Sequence, residues 1–387
     1  MDEPIQWISW IKHGVVFGYL IAMYMFLISM AVGAHLVTLC AKAYYRDEDF
    51  LPLEKVGTFL PLLILLLMPL LLAVDMTHPE RSYTMYYHWN WTATVAWGAY
   101  IMPLCVITYA FHSFYLFRPE MMVAVREGRP GSGIYRVLLR GKVEEGTAAE
   151  IRQRQQKAER LWANISIVFS FLALIYVGMR LSAFKGRVMV SSLSMVFVFM
   201  SLAASSGAAF MILLGRLKTA TAPPTQPALI KQNRFLVDFG VILKYALLAQ
   251  LVIWVLYLIQ LNFTGTGGKL AAYIFLSGPR SFYFWAFQVV IGMLLPLALV
   301  LVPALRQNVG ASVAAGVAVM LGAFFAVANL SVGSQLIPLT HLEWEQLAPE
   351  PLKMAFGIII MVILFLLFLA SYKILPYETP VSQKSEA

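Results

Sequence analysis

The chain has 387 residues, 60% of them hydrophobic and only 13% charged, with a formal net charge of +9. A soluble domain is about 45–50% apolar and about 25% charged, so a disordered chain, a coiled coil and an ordinary soluble enzyme are excluded. Two cysteines are too few for a disulfide scaffold, or for an iron–sulfur cluster held by about four thiolates.

Apolar runs of membrane-crossing length recur along the whole sequence. They predict an all-α fold, a polytopic membrane helical bundle. Residues Met1 to Trp10 include Asp2 and Glu3 and no basic stretch. No cleavable signal peptide is expected there, and the apolar run that follows reads as the first span. Nine spans are expected: 13–40, 57–75, 92–117, 162–181, 190–214, 235–261, 281–304, 310–330 and 354–375. Each is long enough to cross about 30 Å of hydrocarbon at about 1.5 Å per residue. Pro61 and Pro69 fall inside the second span and Pro296 inside the seventh, where kinks are expected.

The chain divides into 1–117, with three helices and an outer loop; a basic loop, 118–161; helices four to six in 162–261; and helices seven to nine with a tail in 262–387. Lys and Arg are distributed unevenly about the spans. One side, with 41–56, 118–161, 215–234, 305–309 and the C-terminal end, carries 20 of them; the other carries 8, and Lys244 lies within a span. Cytoplasmic loops are enriched in Lys and Arg, so the N-terminus is expected outside and the C-terminus in the cytoplasm. Membrane orientation accounts for the positive charge, and no nucleic acid is expected as a partner. The segment Glu144 to Leu161 reads as a polar helix leading into span four. The basic loop containing it reads as a solvated, lipid-facing loop or, alternatively, as a docking platform for a cytoplasmic partner.

No Walker loop, Rossmann fingerprint or HExxH is present, and no metal site is expected. Any chemistry therefore sits in or at the membrane. The most informative segment joins spans two and three: Asp75-Met76-Thr77-His78-Pro79-Glu80-Arg81, then Asn90-Trp91-Thr92-Ala93-Thr94-Val95-Ala96-Trp97-Gly98. A carboxylate at the end of a span is costly unless it is paired or interfacial. One reading is an Asp75–Arg81 pair shaping a surface loop; the other is an interfacial charge without function.

This segment resembles the polysulfide reductase membrane-subunit family (NrfD/PsrC type). That family commonly reads Asp-Leu-Gly-x-Pro-x-Arg, then Asn with a Ser-Pro and a later Gly. Asp75, Pro79, Arg81, Asn90, Trp97 and Gly98 match, whereas Thr77 replaces the Gly and Thr94-Val95 stands near the Ser-Pro. Tyr176-Val177-Gly178-Met179-Arg180-Leu181-Ser182 and the small residues Ala203 to Ala209 add to the likeness, as do Tyr24 to Gly33 and Asn329 to Gly333.

The resemblance implies a subunit that binds quinone (menaquinone or ubiquinone) as substrate and carries no covalent or metal cofactor of its own. It implies a ferredoxin-like iron–sulfur subunit on the outer face. Beyond that stands a further catalytic subunit of molybdopterin, haem or hydrogenase type, all at a prokaryotic cytoplasmic membrane. By the same resemblance Tyr176 falls on a quinone-bonding tyrosine, and Tyr24 stands near the family's polar residue in span one.

A quinol site needs an apolar slot, a few hydrogen-bonding groups and a proton acceptor. Tyr24, Tyr176, Arg180, Trp97 and His13 are expected to bind the quinone, with Asp75 and His78 as proton-handling groups. Pro79, Arg81 and Asn90 are expected to shape the loop or dock a partner. Ionisable residues within spans are functional candidates by default. His35 and Lys244 therefore read as steps of a proton path, although Lys244 could instead reach toward Asp238. Two other readings stay open. His35 and His112 could ligate a haem b on facing helices, or the chain could be an ion-translocating transporter without quinone chemistry.

Overall fold

The structure is a computed structural model that describes residues 18–44, 50–76, 78–87, 90–128, 132–183, 187–220, 227–336 and 351–377. Its helices are α1 Tyr19–Tyr44, α2 Leu51–Asp75, α3 Thr94–Arg126, α4 Ser132–Leu138, α5 Ala148–Ser182, α6 Ser194–Ala220, α7 Pro227–Phe263, α8 Gly265–Leu276, α9 Leu295–Leu301, α10 Pro303–Gln307, α11 Val309–Ser331 and α12 Pro351–Ile374. Among the described residues nine helices are long and apolar enough to cross a membrane: α1, α2, α3, α5, α6, α7, the seventh span Tyr283–Leu301, α11 and α12. The expected all-helical bundle is therefore present.

Several ends differ from the expected ones, for one physical reason. Charged residues marked loop in the sequence, but here they are paired inside the helices. α2 starts at Leu51 instead of 57 and so includes Glu54 and Lys55, both buried. α3 continues beyond 117 to Arg126, burying Glu120. The polar stretch before span four is one helix with it, α5, opened by a reciprocal cap. The Thr147 hydroxyl accepts from the Glu150 amide at 3.3 Å, and the Glu150 carboxylate accepts from the Thr147 amide at 3.2 Å. α2 runs through Pro61 and Pro69 as one helix. The seventh span is in π-helical geometry over Tyr283–Leu294 and returns to α geometry at α9, near Pro296. Proline has no N–H to give to the ladder, so the register changes there at little cost.

Lipid is as apolar as leucine, so burial of apolar surface does not by itself draw membrane helices together; close packing and polar contacts do. α1 is the hub, buried along nearly its whole length against α2, α5, α6 and α11. Its contact with α6 is backbone against backbone. A Cβ on Gly33 would stand 1.9 Å from the Ala203 carbonyl oxygen, and one on Gly207 2.2 Å from the Gly33 carbonyl carbon. Gly33→Leu is therefore expected to force the two helices apart. It should cost at least the roughly 1–3 kcal/mol of core overpacking and leave little monodisperse protein after detergent extraction. Gly133, with nothing within 4 Å of its would-be Cβ, supplies the control: Gly133→Leu should elute like the parent.

α3 and α5 pack along one another beside α1 and α2; α6, α7, the seventh span and α11 form the other half. α12 lies outside these, against α2 and α1. It presents Leu352, Phe356, Ile359 and Phe365 outwards, as a lipid-facing helix should. Polar contacts fasten both its ends. Lys353 Nζ meets Asp75 Oδ1 at 3.2 Å at one end. At the other, Lys55 Nζ donates to the Pro376 carbonyl at 2.9 Å and the Tyr135 hydroxyl donates to the Ile374 carbonyl.

Candidate functional site

Two groups of buried polar side chains stand at different depths of the first half. The first is in the part of the bundle away from the Lys- and Arg-rich face. α1 brings Tyr24, and α5 brings Tyr176 and Arg180, one turn apart; all three are buried. The Arg180 guanidinium lies over the Tyr24 ring, 5.2 Å from its centroid. Tyr176 and Arg180 both bear on the Tyr24 hydroxyl. Arg180 Nη1 is buried without a hydrogen-bond partner. A guanidinium inside a span is costly, so an unsatisfied N–H there marks a place for an acceptor. Gly98 on α3 makes the arrangement possible: a Cβ at that position would stand 2.1 Å from the Tyr176 hydroxyl.

Other sequence candidates lie apart from this group. Asp75 pairs with Lys353 of α12, where the sequence suggested Arg81; Arg81 is exposed, and its carbonyl accepts from Thr84. α12, 278 residues along the chain, thus supplies the counter-charge, a long-range partner that local spacing does not show. His78 is on the surface, its Nδ1 3.0 Å from Glu80 Oε1. Trp97 is partly exposed; its indole donates to the Trp91 carbonyl at 3.1 Å and its ring packs edge-on against Trp91. The Asn90 side chain accepts from the Thr92 amide and hydroxyl, closing the turn into α3. Pro79 opens the short 3₁₀ helix of the loop, Pro79–Tyr86. His13 lies outside the described residues.

The second group lies at the Lys- and Arg-rich end. Lys42 of α1 reaches both Glu54 of α2 at 2.5 Å and Glu159 of α5 at 2.6 Å. His112 of α3 places Nε2 3.6 Å from Glu54 Oε1, too long for a direct bond. His35 of α1 follows, with its ring 5.5 Å from that of His112 and 3.9 Å from that of Tyr109. Its Nε2 lies 2.8 Å from the Ser166 hydroxyl, which itself donates to the Ala163 carbonyl at 2.7 Å, and the Tyr109 hydroxyl meets Ser170 at 2.6 Å. Beside this series Lys55 Nζ stands 3.0 Å from Glu120 Oε1, and Arg152 bonds the same carboxylate. A cleft of about 800 Å³ opens onto the group, lined by Lys42, Glu54, Arg152, Glu159 and Arg160 among others.

The sequence reading placed Glu54 and Lys55 in a loop and missed this site. A signal was available: Phe50-Leu51-Pro52-Leu53 before them is already apolar, so two charges interrupt a span that has begun. Lys244, paired with His35 in the expected proton path, is elsewhere. It is half-buried on α7 with its ammonium 4.3 Å from the Tyr245 ring centroid. The haem reading of His35 and His112 does not fit. The rings stand edge to face with centroids only 5.5 Å apart, one tilted against Tyr109 and bonded to Ser166, which leaves no slot for a macrocycle. Among the described residues no group of three or more His, Cys, Asp or Glu is arranged for a metal ion.

Among the described residues, nine apolar spans around buried tyrosine, arginine, histidine and carboxylate groups define a polytopic membrane protein. The family model described as "Polysulphide reductase, NrfD" matches residues 10–339, and the chain belongs to that family. It is 22% identical over 306 residues to "Protein NrfD homolog" of Haemophilus influenzae, a match covering 77% of this chain and 86% of that protein. α12 lies beyond the family match.

Proposed function

We propose that this chain is the quinone-binding membrane subunit of a respiratory oxidoreductase in a prokaryotic cytoplasmic membrane. It exchanges electrons between the quinone pool and a ferredoxin-like iron–sulfur subunit. The observation that carries the reading is the buried Tyr24–Tyr176–Arg180 group. Two phenols and a guanidinium with a spare N–H, in an apolar wall, are what a quinone carbonyl needs for recognition. The Lys- and Arg-rich face is cytoplasmic in this reading, so the tyrosine group and the partner share the outer side. A further catalytic subunit sets the terminal substrate. Membership of the NrfD family supports the role without naming that substrate.

The test is purification through a tag on this chain, with identification of co-purifying subunits and extraction of bound quinone from the same preparation. An iron–sulfur partner together with quinone is the expected result; a lone chain without quinone would refute the reading. Tyr176→Phe should leave the complex assembled. It removes one hydrogen bond of about 0.5–1.5 kcal/mol, so quinone-linked turnover should fall by about 2- to 12-fold, read by stopped-flow of the partner's clusters.

A further inference from the structure

We propose that Glu54, His112 and His35 form a proton conduit that leads from the Lys- and Arg-rich face into the middle of the first half of the bundle. The proposal rests on the quinone reading for its end use, but not for its existence.

The conduit has a wet end. Lys42 is about a third exposed at the rim of the cleft, and Glu54 and Glu159 stand in the cleft wall behind it. From Glu54 the next group inward is His112 at 3.6 Å. That gap suits one bridging water or a small side-chain rotation. Both ring nitrogens of His112 are buried without a hydrogen-bond partner, and the Gly57 backbone is the backbone partner of the His35 ring. Buried polar atoms are ordinarily satisfied, so the His112 nitrogens are where ordered water would sit. His35 then meets Ser166, and its ring lies against Tyr109, whose hydroxyl meets Ser170. Four helices, α1, α2, α3 and α5, each contribute to the series.

A purely structural role explains this poorly. A buried ion pair adds little stability over apolar residues of the same volume, and an imidazole with no bonded nitrogen adds less. Imidazole does, however, pass protons readily, one nitrogen receiving as the other releases. The neighbouring Lys55–Glu120–Arg152 system differs in kind: Lys55 is also bonded to the C-terminal end at Pro376, and it fastens α12. Lys244 on α7 is not part of the series.

Ser170 lies six residues below Tyr176 on α5, or about 9 Å of helix rise. Quinone reduction takes two electrons and two protons to form two O–H bonds. The iron–sulfur partner supplies the electrons, and the conduit supplies protons from the opposite face; quinol oxidation runs both in reverse. Electrons and protons entering from opposite sides would make the turnover move charge across the membrane.

Two measurements decide. The first needs no quinone: exchange of the imidazole C2 hydrogens of the purified complex in D2O, followed by mass spectrometry. Exchange at His112, despite its full burial, is the expected result; no exchange beyond that of a dry core overturns the conduit. The second uses the complex in liposomes with a pH dye on the Lys- and Arg-rich side. Glu54→Gln keeps the shape and the Lys42–Glu159 pair, and should lower proton exchange with that side at least fivefold per quinone turned over; His112→Gln should do the same. Unchanged stoichiometry in both variants overturns the proposal. If the parent complex turns over no quinone, the quinone reading fails, and the exchange at His112 still decides whether the conduit exists.

Discussion

Glu120→Ala should lower the stability of the bundle by about 3–5 kcal/mol, the usual cost of breaking one side of a buried ion pair. It is the largest stability effect expected from a single side chain here. Lys55 is fully buried, with its ammonium on the Glu120 carboxylate and the Pro376 carbonyl. Removing the carboxylate takes a charged partner from a fully buried ammonium, in a place water does not readily reach. Arg152, the other partner, is partly exposed and can turn to solvent, so Lys55 carries the loss. Two effects should appear together in detergent: a lower unfolding temperature, and protease cleavage at the Pro376 end of α12 at reduced temperature, because Lys55 also holds that end. Restoring an apolar pair, Lys55→Met with Glu120→Met, should recover most of the stability, since paired replacement of buried charges by apolar groups is close to neutral. An alanine variant as stable as the parent would show that Lys55 is not charged in the fold.

The same residues show how much the sequence could disclose. Spans were legible because length and apolarity set them, and nine appear among the described residues where nine were expected. The polar α5 start was legible through its composition. Glu54, Lys55 and Glu120 were not, because charge in a sequence signals water unless the partner is known. Their partners come from other helices, 65 residues away for Lys55 and Glu120. Asp75 taught the same lesson: a near neighbour, Arg81, was the reasonable local choice, but α12 supplies Lys353. Tyr24, Tyr176 and Arg180 were legible only as separate members of a family-like pattern. The approach of Tyr176 to Gly98 and of Arg180 to Tyr24 belongs to the packing of α1, α3 and α5, which a linear pattern does not contain.

Arg180→Met should reduce quinone-linked turnover by about 10- to 100-fold while leaving the complex assembled. A charge-assisted hydrogen bond to a ligand oxygen contributes about 1.5–3 kcal/mol, and each 1.4 kcal/mol is about tenfold. Assembly should survive for a reason the structure gives directly. The guanidinium has a buried nitrogen without a partner and a tyrosine ring beneath it, so methionine of similar length removes a cost along with a contact. Lys is the informative alternative. Arg180→Lys keeps the charge but loses the planar fork that lies over Tyr24, and should recover only part of the turnover. Charge near the quinone favours the reduced, electron-rich forms. The methionine variant should therefore also slow electron arrival at the quinone more than its departure from quinol, a split that a change in packing alone would not produce. Both rates are read from the partner's clusters, in the two directions, in one preparation. Equal rates in parent and Arg180→Met, at unchanged quinone content, would remove Arg180 from the site and with it the reading built on the three side chains.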